Sequence, residues 1–398
     1  MKILILLLTM TALSCGTTNR NIASNTEPSS TKTRYQNRSF PSIFVPWASA
    51  ENLNQSPAES VTPLSHVENA ITTLARHDLI FKGPHGFGLQ FNNSFEGLAT
   101  GFTASSVAVA LQTRASILSK NPNAILLAEI RYRDAASTYL PANSVWWMRD
   151  SNGKPVLGWK EGNYYLLDFT RADFQHQVAL QCSAVIQTGV VDGCMFDWWA
   201  KEDASRLTLI KKVRDVIGPD ALIIVNVNGR LPMQSAPYLN GIYMEGFGSS
   251  FFSDWHKASQ NLIWARKHLQ SPAITAFEGW GVRNDLLLMR MVTTLSLVFS
   301  DGYVLFSDPD SLPTPDHAHD WYAFWNRSLG KPSGASFITH ADGSFSRDYE
   351  NGMVVFNPPE NQKVIVHLSS PGRSRATGVK SITHFIQPGD GDIFVRSE

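Results

Sequence analysis

The sequence predicts an α/β fold, a TIM (β/α)8 barrel followed by a small C-terminal all-β domain. Short apolar runs alternate with stretches of helical spacing about eight times from Phe40 onward, which is the pattern of strands alternating with covering helices. Several of those runs break off in a carboxylate, and a barrel gathers the ends of its strands at one mouth, whereas a doubly wound sheet rarely carries acids on so many tips. Beyond residue 330 the helical spacing disappears and short alternating runs take over, as in a turn-bounded sheet.

Residues 1–15 read as a targeting segment: Lys2 precedes the apolar run that ends at Leu8, and Ser14 stands before Cys15 and Gly16. That run is too short to remain in a bilayer as a spanning helix. It resembles a bacterial lipoprotein signal, with Cys15 as the lipidated first residue and Leu13 one place nearer the cysteine than usual; an ordinary secretory signal is the alternative. Residues 16–38 are rich in Ser, Thr and Asn, so they predict a flexible tether. The expected location is the outer membrane, periplasm or cell surface, with membrane contact through the N-terminal lipid only. Residues 39–330 form the expected barrel and 331–398 the β-domain.

Within the barrel region, strands are expected at 42–47, 79–82, 124–131, 189–196, 221–228, 241–246, 273–280 and 302–307. Helices are expected at about 66–77, 103–119, 171–188, 205–217, 254–269, 284–299 and 320–329. Asn121-Pro122-Asn123 and Gly218-Pro219 stop two of these helices. The glycine-rich segment 83–88 lacks a phosphate-cradle spacing and is not followed at once by a helix, so it is read as a loop. A long loop after the third strand carries Tyr132, Tyr139, Trp146, Trp147, Trp159, Tyr164 and Tyr165, and loops of that length tend to be functional walls. In the C-terminal region strands are expected at 345–349, 353–356, 364–368 and 393–395, with Asn351-Gly352 as a hairpin turn.

Lys and Arg together number 34 and Asp and Glu 34, without a basic block, so nothing favours nucleic acid. Of three cysteines, Cys194 is at odd offset from Asp197 and faces the helix layer if Asp197 faces the mouth. Cys182 lies on the preceding helix, and the two are either disulfide-bonded or buried thiols. Neither a metal nor a cofactor is expected. The letters Asp316-His317-Ala318-His319-Asp320 follow the eighth strand, where they should begin a helix.

Glu129, Asp197, Glu245 and Glu278 end strands. Hydrolysis of a glycosidic bond needs two carboxyl groups, one to protonate the departing oxygen and one to attack or to activate water. Asp197 and Glu245 are the expected pair, although Asp197 could instead cap the following helix. Glu278 is either a contact to a substrate hydroxyl or half of an ion pair, and so is Glu129, with Arg131 close by. The chain has 11 tryptophans, whose indole faces suit sugar rings or cores; Trp47, Trp198, Trp199 and Trp280 are the platform candidates. Asn226 and Asn228 end the fifth strand in amides fit to bind hydroxyls. Strand spacing alone admits both retaining and inverting separations.

Three stretches carry a family resemblance: Gly189-Val190-Val191-Asp192-Gly193 leading to Phe196-Asp197, then Tyr243-Met244-Glu245-Gly246-Phe247, then Ser346-Arg347-Asp348-Tyr349 with Val354-Val355-Phe356-Asn357-Pro358. With these the chain resembles the bacterial glycosyl hydrolase-like TIM barrels related to endo-α-1,4-polygalactosaminidases. The resemblance implies a catalytic aspartate after the fourth strand and a glutamate after the sixth, which are Asp197 and Glu245 here. Trp198-Trp199 stands where the polygalactosaminidases tend to carry a further acid. The expected function is therefore hydrolysis of O-glycosidic bonds in an extracellular or periplasmic poly- or oligosaccharide, and the alternative is a lipoprotein barrel that binds glycans without cutting them.

Overall fold

The structure, a computed structural model, describes residues 30–47, 69–250, 252–309, 317–326, 329–334 and 336–396. The chain opens with α1 (Thr31–Gln36), β1 (Phe44–Pro46), α2 (Ala70–Ala75) and β2 (Leu79–Lys82). It continues through α3 (Ala104–Lys120), β3 (Ile125–Glu129), the hairpin β4 (Asp134–Ala136) and β5 (Tyr164–Leu166), α4 (Ala172–Gln187) and β6 (Gly193–Phe196). Then come α5 (Ala204–Ile217), β7 (Leu222–Asn226), β8 (Gly241–Phe247), α6 (Trp255–His268), β9 (Ile274–Trp280), α7 (Leu286–Phe299) and β10 (Tyr303–Ser307).

Strands β1, β2, β3, β6, β7, β8, β9 and β10 form one parallel sheet in that order. Ile43 bridges Val304 in parallel and the Val304 amide donates to the Ser42 carbonyl, so the sheet closes on itself as the expected barrel. Seven of the eight strands fall within the expected runs, and β8 extends one residue past its expected end, to Phe247. They are legible because a strand covered on one face by helices and on the other by the barrel interior is apolar along its length; β3, β7 and β10 are buried at every position. Phe44, Phe81 and Tyr243 fill the interior, with ring centroids 5.3–5.9 Å apart.

Two expectations are corrected at the base of the barrel. The tether does not reach residue 38, because Thr31–Gln36 is helical, capped by Ser30, and its cations are buried. Arg34 meets Asp192 at 2.5 Å, and Arg114 meets the same carboxylate at 2.6 Å. Burial pushes the Asp192 carboxyl up, but the two guanidiniums outweigh it and hold it below its ordinary range. Arg38 lies between the rings of Tyr35 and Tyr303, 4.1 Å from each. Two charged residues that look solvated in sequence thus close the bottom of the barrel. The second correction concerns 320–329, where the described residues contain a short 3-10 turn, Ala323–Trp325, rather than an α-helix. Trp321, Tyr322, Phe324 and Trp325 are all buried and point into different neighbours, as the Trp325 indole bonding Thr293 and the Tyr322 hydroxyl bonding the Arg283 carbonyl illustrate. No single apolar stripe could satisfy them.

Cys182 on α4 and Cys194 on β6 are disulfide-bonded, with Cα atoms 6.1 Å apart, which decides between the two readings left open above. The long aromatic loop is organised by the β4–β5 hairpin. The helix expected near 66–77 is described as α2 with Asn69 as its cap; its earlier residues lie outside the described ones, as does Cys15. Among the described residues no helix is long and apolar enough to cross a membrane.

The C-terminal region is an antiparallel sheet of β11 (Ile338–Thr339), β12 (Phe345–Tyr349), β13 (Gly352–Asn357), β14 (Val364–Ser374), β15 (Lys380–Ile386) and β16 (Asp390–Val395), in the order β11-β12-β13-β16-β14-β15. Strand β15 was not expected, because only two of its seven residues are buried. The β12–β13 turn is Glu350-Asn351, one residue earlier than the sequence implies, with Tyr349 paired to Gly352. The sheet packs on α7 through Phe299, Phe345 and Phe356 and through a two-bond Arg290–Asp390 pair, both bonds 2.8 Å.

Asp192→Ala should lower stability by about 3–5 kcal/mol, because it strands two buried guanidiniums. Urea unfolding checks this, and a change below about 0.5 kcal/mol would contradict the closure described here.

Candidate active site

Asp197 follows directly on β6, Asn226 ends β7 and Glu245 lies near the end of β8. Because β7 is paired to β6 on one side and β8 on the other, its last side chain stands between the two acids. The Asn226 Nδ2 donates to Asp197 Oδ1 at 2.8 Å and to Glu245 Oε2 at 2.7 Å. Those carboxylate oxygens are therefore no farther apart than the two bonds laid end to end, about 5.5 Å. The amide cannot turn over, since its Oδ1 accepts from the Asn228 backbone N–H at 3.1 Å.

The chain around each acid is built for display. The β8–β9 register slips between Met244 and Phe247, and Gly246 takes a φ of 79°. This bulge lets Glu245 face the mouth while Phe247 turns outward to pack on Phe252 and Phe277. Asp197 also accepts from the Trp198 backbone N–H at 2.8 Å. Trp47, Trp198, Asn228 and His317 have φ values of 40°, 56°, 49° and 47°, a region that costs a residue with a Cβ roughly 1–3 kcal/mol. Only one other non-glycine among the described residues, Asn163, does so. The strain is thus gathered at the mouth.

A cleft of about 710 Å³ opens above the pair. Of the expected residues, Trp47, Glu129, Arg131, Asp197, Trp198, Asn226, Asn228, Glu245 and Trp280 all line it. Trp198 is 41% exposed; the Arg133 guanidinium lies 4.1 Å from its ring centre. Glu129 accepts from the Trp47 indole at 2.8 Å and pairs with Arg131 at 3.1 Å. Its carboxyl is raised by burial, which Arg131 and the indole N–H only partly offset.

Two candidates do not line it. Trp199 is 1% exposed, packs on Tyr132 and bonds Ser235 at 3.2 Å, so it is a core residue and not a sugar platform. Glu278 is fully buried and does not face the cleft. It accepts hydrogen bonds from Tyr243 and, at 2.7 Å, from Ser307, and it meets His317 Nδ1 at 2.8 Å. Burial pushes its carboxyl up, but His317 and these bonds outweigh it and leave it below its ordinary value.

His317 and Tyr243 were not among the expected site residues, whereas Trp159 and Tyr164, which line the cleft, stand in the aromatic loop expected to form a wall. Tyr243 is two residues before Glu245 and so on the same inward face, a signal present in the sequence. His317 arrives on the segment wrongly expected to be helical. Its Nε2 lies 3.7 Å from Glu245 Oε1, so it joins the Glu278 support to the acid that lines the cleft. Ligand-type atoms of Glu245, Glu278 and His317 lie within 4.8 Å of one another, a spacing that could share a cation, but the hydrogen bonds above already account for it.

Burial is the main reason the Glu245 carboxyl is raised, to about 8; Asp197 and Glu278 add to this, while His317 and the Asn226 bond oppose it. Near neutrality Glu245 is an acid that still holds its proton, beside a second carboxyl group that faces the same cleft. Such an arrangement can donate a proton on one side of a bound group and deliver a nucleophile or a base on the other.

No family profile matches the chain, and no curated protein sequence matches it. Solved structures do. An α-amylase from Lactobacillus plantarum superposes with a TM-score of 0.55 at 10% identity, covering 92% of this chain and 99% of its own. An α-amylase from Malbranchea cinnamomea gives 0.54 at 11%, covering 93% and 98%. The cyclic α-maltosyl-(1→6)-maltose hydrolase from Arthrobacter globiformis gives 0.53 at 11%, covering 91% and 99%. At these identities the likeness establishes the fold, a barrel with a C-terminal β-domain.

Proposed function

We propose that this chain is a retaining glycoside hydrolase acting on a poly- or oligosaccharide. The observation that carries the reading is the single Asn226 amide joined to both Asp197 and Glu245 at the floor of an aromatic-walled cleft. The upper bound of about 5.5 Å on their separation agrees with the ~5–5.5 Å of retaining pairs and leaves too little room for the water of an inverting one. An Asp197 oxygen attacks the anomeric carbon as Glu245 gives its proton to the departing glycosidic oxygen. The resulting glycosyl ester on Asp197 is opened by a water whose proton passes to Glu245, which restores both groups. Trp47, Trp198 and Trp280 offer ring faces to sugar planes, and Asn228 and Arg131 offer donors to hydroxyls. The likeness to barrels named as an α-amylase and as a cyclic α-maltosyl-(1→6)-maltose hydrolase supports the reaction class. Kinship with the polygalactosaminidase-related barrels is part of the same reading, supported by acids at the ends of the fourth and sixth barrel strands.

We further propose export with a lipid on Cys15. The Cys182–Cys194 disulfide supports this, since such bonds persist in oxidising compartments.

Asp197→Asn and Glu245→Gln should each lower turnover at least about 10³-fold with the fold kept. In the wild type kcat/KM should fall as pH rises through about 8, where Glu245 loses the proton it must donate. Screening polysaccharides with reducing-end detection, then NMR of the first-formed anomer, checks this. Undiminished turnover in either variant, or an inverted product, sinks the assignment. For the anchor, radiolabelled palmitate should enter the wild type and not Cys15→Ala; equal labelling would remove Cys15 from the proposal.

A further inference from the structure

One rim of the cleft is built differently from the other. Arg131 and Arg133, on the hairpin side, are neutralised by Glu129 at 3.1 Å and Asp134 at 2.6 Å. Arg230 and Lys257, on the opposite rim, are exposed and line the cleft, and no carboxylate among the described residues pairs with either. Nor are the segments that carry them loose. Gly229 lies against the buried Phe252, where an added Cβ would come within 2.6 Å of the ring. The Lys257 ammonium is 6.0 Å from the centre of that ring. Asn261 of α6 donates to the Gly229 carbonyl at 3.1 Å. The turn that carries Arg230 and the segment that carries Lys257 are therefore fixed to each other through Phe252 and Asn261.

We propose that Arg230 and Lys257 form a subsite for an anionic group on the sugar, a carboxylate or a sulfate ester, so that the substrate is an acidic glycan. The proposal rests on the hydrolase reading for its sugar and on this rim for its charge. Two cations carried on segments fixed to each other, both lining the same cleft, cannot neutralise each other, and an incoming anion is the partner they lack. A guanidinium meets a planar carboxylate or a sulfate with two parallel N–H bonds, and an ammonium adds a point charge. The opposite rim, with each guanidinium already matched to an acid, is suited to neutral hydroxyls.

The test is binding to the full-length Glu245→Gln protein, which separates recognition from turnover. Calorimetry at about 50 mM salt compares oligogalacturonate with its methyl ester, and a sulfated galactan oligosaccharide with its desulfated form. The acidic member of at least one pair should bind about tenfold more tightly or better, and the preference should shrink in about 500 mM salt. Arg230→Ala with Lys257→Ala should abolish that preference, while Arg230→Lys should keep part of it; preference for the uronate pair or for the sulfate pair identifies the anion. Equal binding within both pairs, no binding by either acidic sugar, or a preference untouched by the double variant overturns the proposal. Absence of turnover on every glycan by the wild type, with the binding preference intact, would instead count against the hydrolase reading alone.

Discussion

The site depends on one primary amide. Asn226 has two N–H groups on Nδ2, and that nitrogen lies 2.8 Å from one acid and 2.7 Å from the other. Two carboxylates no more than about 5.5 Å apart repel by roughly 3 kcal/mol or more at the effective dielectric of a protein site, so the pair favours a state with one proton between them. Burial and the nearby Glu278 assign that proton to Glu245. The amide thus holds the acids close enough to act on one bond while burial keeps the proton on Glu245.

Everything around Asn226 keeps that amide in place. Its strand is flanked by the strands of both acids, so the parallel register of the barrel is what makes a three-residue bridge across neighbouring tips possible. The bulge at Gly246 frees Glu245 to face the mouth, and His317 ties it to the buried Glu278, Tyr243 and Ser307. The left-handed conformations of Trp47, Trp198, Asn228 and His317 persist because neighbouring bonds over-determine them, as where Tyr132 donates to the Trp198 carbonyl at 3.0 Å. Stability invested elsewhere, in the Arg34–Asp192–Arg114 cluster and the sheet packed on α7, offsets that strain.

The barrel was legible because burial on both faces leaves each parallel strand as a continuous apolar run, and acids at the ends of such runs are conspicuous. What the sequence hid was direction. Trp198 and Trp199 are adjacent letters, yet one borders the cleft and the other is in the core; a single positive φ divides them, and no spacing rule reports it. Glu245 and Glu278 both end strands, but only the first has the bulge. His317 was obscured by a segment whose aromatics mimic a helix, and the burial of Arg34 depends on a carboxylate 158 residues away. Local pattern encodes strands well; pairings across such distances it encodes poorly.

Carboxyl ¹³C NMR of the protein, free of any substrate, tests the central claim most directly by following Glu245 in the wild type and in Asp197→Asn. The account predicts a Glu245 midpoint near about 8 in the wild type, moving down when the Asp197 charge is removed. A midpoint near the ordinary 4.5, the same in both proteins, would mean that the two acids do not share a site.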